Sequence, residues 1–196
     1  MPVVKRDDAE IYYEVAGEGF PILCFAPKGL MSTCDAWDLP GAIIKPPYDY
    51  ADEFMVISMD QRNAGGKSRA PITKDTNWED YARDQIAVLD DLGIENCHMY
   101  GQCIGGAFIT KLLQMVPDRI ASAVMAQPIG RRNGEPLPPR PEHFNRWVNV
   151  VKSFADVDED TSDAIYDNLY APGFDYSVPI GFFAPLSVAY ACAGRP

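Results

Sequence analysis

Histidine is scarce in this chain: there are two, His98 and His143, among 196 residues. Chemistry within the chain that needs an imidazole base has only these to draw on. Positive charge is short as well, with 17 Lys and Arg against 28 Asp and Glu and a net charge of −11. That deficit excludes a nucleic-acid partner, because phosphate-backbone binding needs clustered cations that displace counterions. Paired cysteines are also missing. Cys24, Cys34, Cys97, Cys103 and Cys192 make an odd number, and no two stand at C-x-x-C spacing. Neither a disulfide framework nor a zinc site is expected, and a reducing, cytoplasmic compartment fits best. The chain opens with charge from Lys5 onward and lacks the apolar core of a signal peptide. One long uncharged run extends from Tyr176 to Gly194, but Pro179, Gly181 and Pro185 interrupt it, so no membrane span is expected. No internal repeat is present.

What remains is a chain 47% hydrophobic and 23% charged, long enough for one domain that buries a sizeable core. Ile11 to Val15 is β-branched and aromatic and stops at Gly17, which predicts a strand and turn. Pro21 to Phe25 and Phe54 to Met59 are short apolar runs, as strands buried on both faces require. Trp78, Ala82, Ile86, Leu89 and Leu92 recur at helical spacing; Asn77 or Thr76 would cap that helix and Gly93 would end it. A strand over Asn96 to Tyr100, a helix over Gly105 to Met115 and a strand over Ile120 to Ala126 follow. Alternating strands and helices predict an α/β fold, a mostly parallel sheet with helices on both faces. After Pro128 the character changes. Five prolines punctuate a linker, a helix is predicted over Glu142 to Phe154, and the acidic run Asp156 to Asp163 reads as a solvated face before a short helix around Ala164 to Leu169. The expected organisation is a core over residues 1–127, a Pro-rich linker with a helical, cap-like segment over 128–175, and an apolar tail over 176–196.

Tyr100-Gly101-Gln102-Cys103-Ile104-Gly105-Gly106 lies between a predicted strand and a predicted helix. That is the setting of a nucleophile elbow, G-x-Nu-x-G, with cysteine where serine is usual. Side chains at Gly101 or Gly105 would crowd the neighbouring strand and helix. The following helix aims its unpaired N–H groups at Cys103 and favours a thiolate, and the Ile104 N–H points where a carbonyl oxygen would become negative. The alternative is a small structural cysteine in a glycine-rich turn. The turn lacks G-x-G-x-x-G spacing and a following Lys-Ser/Thr, so no nucleotide cofactor is indicated. No cofactor and no metal enter the reading.

The wider context resembles the α/β-hydrolase family. Ile22 to Gly29 is similar to its third strand and oxyanion loop, and Met59-Asp60-Gln61-Arg62-Asn63-Ala64-Gly65-Gly66-Lys67-Ser68 to its D-x-R-G-x-G-x-S segment. Trp78 to Gly93 resembles the helix before the elbow, and Pro117-Asp118-Arg119-Ile120 resembles the P-x-R-[VI] approach to strand six. The resemblance covers residues 10–130. It implies acyl hydrolysis of a small-molecule ester, lactone or thioester, with Cys103 as nucleophile as in dienelactone hydrolases. Backbone N–H groups of Ile104 and of Lys28 or Gly29 would hold the oxyanion.

Three departures qualify the resemblance. Ala26-Pro27-Lys28-Gly29 replaces the family's His-Gly in the oxyanion loop, cysteine replaces serine, and the family's acid and histidine, which follow later strands, are not recognisable before Pro196. The chain therefore reads as truncated before the triad is complete. His98 stands five residues before Cys103, about 16 Å back along an extended strand, and cannot reach the sulfur. His143, at the start of the cap-like segment, is the candidate base, with a surface histidine as the plainer alternative. Asp60 occupies a position that is usually structural. Without later strands, Ile120 to Ala126 would be an open sheet edge that invites self-association, and Pro185 to Cys192 could return to cover it. Two other readings stay open: a non-catalytic binding module on the same fold, and a redox-sensing thiol.

Overall fold

The computed structural model describes residues 2–39, 44–130 and 136–172. The predicted tail, and its suggested return to the sheet edge, lie outside the described residues. Six strands form one sheet in the order β1-β2-β4-β3-β5-β6. The strands are β1 (Val3–Arg6), β2 (Ala9–Ala16), β3 (Phe20–Phe25), β4 (Phe54–Met59), β5 (Cys97–Gln102) and β6 (Ile120–Ala126). β1 and β2 pair antiparallel, as do β2 and β4, while β3 pairs parallel with both β4 and β5, and β5 with β6. The sheet is thus mixed but mostly parallel, with β6 at its end among the described residues.

Alternation along the central strands sorts the core into two faces. Leu23, Phe25, Ile57, Met99 and Ala123 face the larger cluster, with α2 (Trp78–Asp91) and α3 (Gly105–Met115) packed against them through Tyr81, Leu89, Phe108 and Leu112. Ile22, Cys24, Val56 and Tyr100 face the opposite side, where Trp37, from a short 3-10 turn over Cys34–Asp38, covers them. The four-residue helix α1 (Pro46–Asp49) leads into β4. α2 starts as predicted: the Asn77 side chain accepts from the Glu79 N–H at 2.7 Å, and Asp80 accepts from the Asn77 N–H at 3.0 Å. It ends where Gly93 takes a left-handed φ of 66°.

The four-residue α1 was not predicted, the helix that starts at Glu142 stops three residues short of the predicted Phe154, and two further departures have a clear physical cause. β1 was not predicted, because Lys5, Arg6, Asp7 and Asp8 disguise a short edge strand whose Val4 is buried. The last helix, α5 (Glu159–Tyr170), begins inside the acidic run, since Asp158 caps it by accepting from the Thr161 N–H at 2.8 Å. The acidic side chains therefore supply the cap and first turn, complementing the helix dipole. Before it, α4 (Glu142–Val151) packs on the 3-10 turn Gly29–Met31 that follows β3. Among the described residues no helix is long and apolar enough to cross a membrane.

Candidate active site

β5 delivers its last residue, Gln102, to the sheet's C-terminal end, and Cys103 turns the chain into α3 with φ 58°. A non-glycine residue in this left-handed region is strained, and its surroundings hold it there. The Cys103 N–H donates to the Ala126 carbonyl at 3.0 Å, and its own carbonyl accepts from Gly106 at 3.1 Å and Ile129 at 3.2 Å. The glycines on either side permit the close approach. A Cβ on Gly101 would lie 2.6 Å from the Gly105 carbonyl carbon, and one on Gly105 would lie 3.0 Å from Phe25. Gly106, which the sequence reading quoted without a role, is crowded too: its Cβ would sit 2.4 Å from the Pro128 side chain.

The four described cysteines are free thiols, and Cys103 alone among them is not fully buried. Burial pushes Cys97 up to about 12 and raises Cys24 and Cys34 well above the ordinary thiol value, so those three stay protonated at neutral pH. At the start of α3 the Ile104 N–H has no acceptor among the described residues, which leaves it available to a ligand oxygen.

The loop after β3 is equally constrained. Lys28 and Gly29 both take left-handed φ values, 107° and 60°, before the 3-10 turn. The Ser32 hydroxyl donates to the Ala26 carbonyl at 2.7 Å and ties the loop to its own base. Among the described residues the Lys28 and Gly29 N–H groups have no backbone acceptor. Asp60 serves this architecture rather than a proton relay: one carboxylate oxygen accepts from the Cys34 N–H at 2.8 Å, the other from the Lys67 N–H at 2.6 Å. The neighbouring Arg62 is buried and forms a bidentate pair with Asp84, at 2.8 and 3.0 Å, which Arg6 joins from β1.

His143 stands at the start of α4, its Cδ2 3.6 Å from where a Gly29 Cβ would be. Its Nε2 is 2.9 Å from the Tyr170 hydroxyl. Partial burial of the ring lowers its basicity, and burial raises that of Tyr170, so at neutral pH the pair is an uncharged imidazole and an uncharged phenol. His98 points elsewhere, bonding Ser122 at 2.7 Å and packing on Phe20 with ring centroids 4.8 Å apart. Among the described residues neither histidine hydrogen-bonds a carboxylate. The sequence reading missed Tyr170, although Tyr166 and Tyr170 at helical spacing were a signal that one aromatic face of α5 is packed inward; the rings stack 4.7 Å apart.

A cavity of about 260 Å³ opens beside the elbow, lined by Leu30, Ile104, Ala107, His143 and Tyr170 among others. It brings together the loop after β3, the start of α3 and the two helices beyond Pro128. A larger polar cleft of about 710 Å³ lies between α2, α3 and α5, and no elbow or oxyanion-loop residue lines it. Of these two, the smaller cavity is the one that adjoins the turn, through Ile104 and Leu30.

Comparison with known proteins agrees with this geometry. The family model described as alpha/beta hydrolase fold matches residues 42–162. A protein of Azorhizobium caulinodans that bears the name carbamate hydrolase RutD is 31% identical over 137 residues, 68% of this chain and 47% of its own length. A zearalenone hydrolase of Cladophialophora bantiana is 25% identical over 169 residues, covering 83% of this chain and 61% of that protein. Among solved structures, Est816, described as an N-acyl homoserine lactone degrading enzyme, superposes with a TM-score of 0.55 at 28% identity, over 65% of this chain and 45% of that one. The chain spans about half the length of the curated relatives it matches. With its sheet order, its strained strand-to-helix turn and the family match in agreement, the chain belongs to the alpha/beta hydrolase fold family.

Proposed function

We propose that the chain carries the acylation half of a hydrolase that cleaves small esters, lactones or thioesters, with Cys103 as nucleophile. The observation that carries this reading is the left-handed Cys103 at the head of α3, the one described cysteine that is not fully buried. In the reaction, Cys103 Sγ forms a bond to the substrate's carbonyl carbon and the negative charge moves to its oxygen. The Ile104 N–H, together with a Lys28 or Gly29 N–H, stabilises that oxygen. Collapse expels the alcohol or thiol with the proton lost from the cysteine and leaves a thioester. Water then hydrolyses the thioester to the carboxylic acid and restores the thiol.

His143 is the candidate base for this proton traffic, supported by its place beside Gly29 on the cavity wall and by its uncharged state. The 128–175 segment that carries it acts as the cap. A second reading, a binding module without turnover, is favoured by one observation: no carboxylate orients either histidine among the described residues. Stopped-flow mixing with p-nitrophenyl acetate separates the two. A nitrophenolate burst near one equivalent, absent in Cys103→Ala, is expected on the first reading. No burst from folded protein, or one that survives Cys103→Ala, refutes it.

A further inference from the structure

At their C-terminal ends β5 and β6 leave the sheet in step. Gln102 and Ala126 are the last residues paired across the two strands, and the next residue on each, Cys103 and Gln127, takes a left-handed φ, 58° and 51°. Strain at Cys103 belongs to the elbow, whereas Gln127 has no part in the chemistry above. A left-handed φ suits glycine and, among side chains, Asn, Asp and His; glutamine has no such preference. We propose that Gln127 is a positioning residue for Cys103, its left-handed bend holding the Cys103 peptide from the β6 side. The assignment deepens the acylation reading and rests on it for its kinetic consequence.

A missing donor is the physical reason for the bend. Were the parallel ladder to continue regularly, the Cys103 N–H would donate to the carbonyl of residue 126, and the Cys103 carbonyl would accept from the N–H of residue 128. The first bond is present, at 3.0 Å. The second cannot form, because Pro128 has no N–H. The Cys103 carbonyl accepts instead from the Ile129 N–H at 3.2 Å, one residue farther along, and from the Gly106 N–H at 3.1 Å. In an extended chain Ile129 would lie about 10 Å beyond Ala126, out of reach of that carbonyl. The bend at Gln127 takes up the extra residue, as a bulge does, and restores the bond.

The same bend seats Pro128 against the start of α3. A Cβ on Gly106 would lie 2.4 Å from the Pro128 Cβ, so the two backbones meet closely there. Residues 126–129 therefore touch the elbow at three points: the Cys103 N–H, the Cys103 carbonyl and Gly106. The Gln127 side chain itself is exposed. Replacing it removes no buried packing, so an effect on Cys103 has to run through the backbone bend.

Three variants separate the bend from the side chain. Gln127→Gly and Gln127→Asn accept a left-handed φ readily, whereas Gln127→Val is β-branched and an outlier there. Hydrogen exchange, followed amide by amide by NMR on the 196-residue chain, reads the geometry without reference to activity. In Gln127→Val the Cys103 and Ile129 amides are expected to exchange at least about 10-fold faster, with Leu23 and Met99 unchanged; the other two variants keep the native rates. The p-nitrophenyl acetate burst constant is expected to fall about 100-fold in Gln127→Val, at an unchanged half-saturating ester concentration, and to recover in Gln127→Gly. Gly106→Ala pushes Pro128 away from the α3 side; it is expected to speed Ile129 exchange likewise and serves where Gln127→Val does not fold. Exchange and burst in Gln127→Val equal to those in Gln127→Gly overturn the assignment. So does a Gln127→Gly as slow as Gln127→Val, which would put the role in the carboxamide. Faster exchange in Gln127→Val, with no burst from the unsubstituted protein, upholds the positioning of Cys103 and rejects it as a nucleophile. A burst that Gln127→Val leaves intact upholds the nucleophile and rejects the positioning.

Discussion

Gly101→Ala offers the most direct test of whether the elbow's geometry, rather than the mere presence of a cysteine, underlies the site. The added Cβ would lie 2.6 Å from the Gly105 carbonyl carbon and 2.7 Å from its oxygen. Ordinary contact to such atoms begins near 3.4 Å, so the first turn of α3 must retreat by about 0.8 Å. Ile109 Cδ1, at 2.8 Å, can rotate away, but backbone cannot. Overpacking against backbone belongs at the upper end of the usual range, about 3 kcal/mol. Gly105→Ala makes the counter-example. Its Cβ meets the Phe25 Cβ and carbonyl oxygen at 3.0 Å, a milder clash that asks for a shift of a few tenths of an ångström, and alanine is the better helix former, so the net cost is about 1 kcal/mol. Gly93→Ala meets no atom within 4 Å and is penalised by its φ of 66° alone, about 1 kcal/mol. Urea denaturation of the three variants should therefore rank Gly101 well above the other two. The burst rate constant should fall about 100-fold in Gly101→Ala, because a displacement near 1 Å removes the nucleophile from its attack geometry. Gly101→Ala as stable and as fast as Gly105→Ala would refute the argument.

Two further perturbations address the scaffold. Asp84→Ala strands the Arg62 guanidinium, whose side chain is 4% exposed, and should cost about 3–5 kcal/mol in urea denaturation. Replacing both partners, with Arg62→Met and Asp84→Leu, should cost much less, and a single-variant cost below about 1 kcal/mol would contradict a buried pair. His98 and His143 are both held below the ordinary imidazole value of 6.5 by burial, so the unfolded chain binds protons more readily than the folded one. Their contribution is complete above pH 6.5 and is lost as pH falls through 6.5 towards the folded values. The melting temperature should drop between pH 7.5 and 5.5, and His98→Gln should flatten that drop; an unchanged slope in the variant would count against the burial of His98.

How much of this was readable from residue order depends on how local each feature is. The buried strands β3 and β4 declare themselves as apolar runs because both of their faces are covered. α2 shows both its cap and its stop, since Asn77 and Gly93 act within one turn of the helix ends. β1 escapes because an edge strand protects itself with the charges that make it resemble a solvated terminus. Arg6 belongs to that disguise, yet its guanidinium reaches Asp84, 78 residues away. The start of α5 escapes for a similar reason. Asp158, Glu159 and Asp160 read as surface charge, while the geometry uses them as a cap and a complement to the dipole.

The candidate site divides along the same line. Strain at Cys103 is produced by neighbours within three residues and by two adjacent strands, so a glycine pattern announces it. The cavity wall is assembled from Leu30, Trp78, Ile104, His143 and Tyr170, one from each of five separate segments, and no local pattern encodes that convergence. This division has a mechanistic counterpart. The proposed nucleophile and oxyanion donors sit just beyond the strand ends of β3 and β5 and at the first turn of α3, within the hydrogen-bonded frame of the sheet. The proposed base sits on α4, a separate helix packed on the loop after β3, held towards α5 by the Tyr170 hydroxyl. On the proposed assignment the base is placed by how α4 and α5 dock, while the nucleophile and oxyanion donors are not. Perturbing the docking, for example with Tyr170→Phe, should slow the steady-state phase after the burst while leaving the burst amplitude near one equivalent. Equal loss of both phases would mean that the cap shapes the elbow itself.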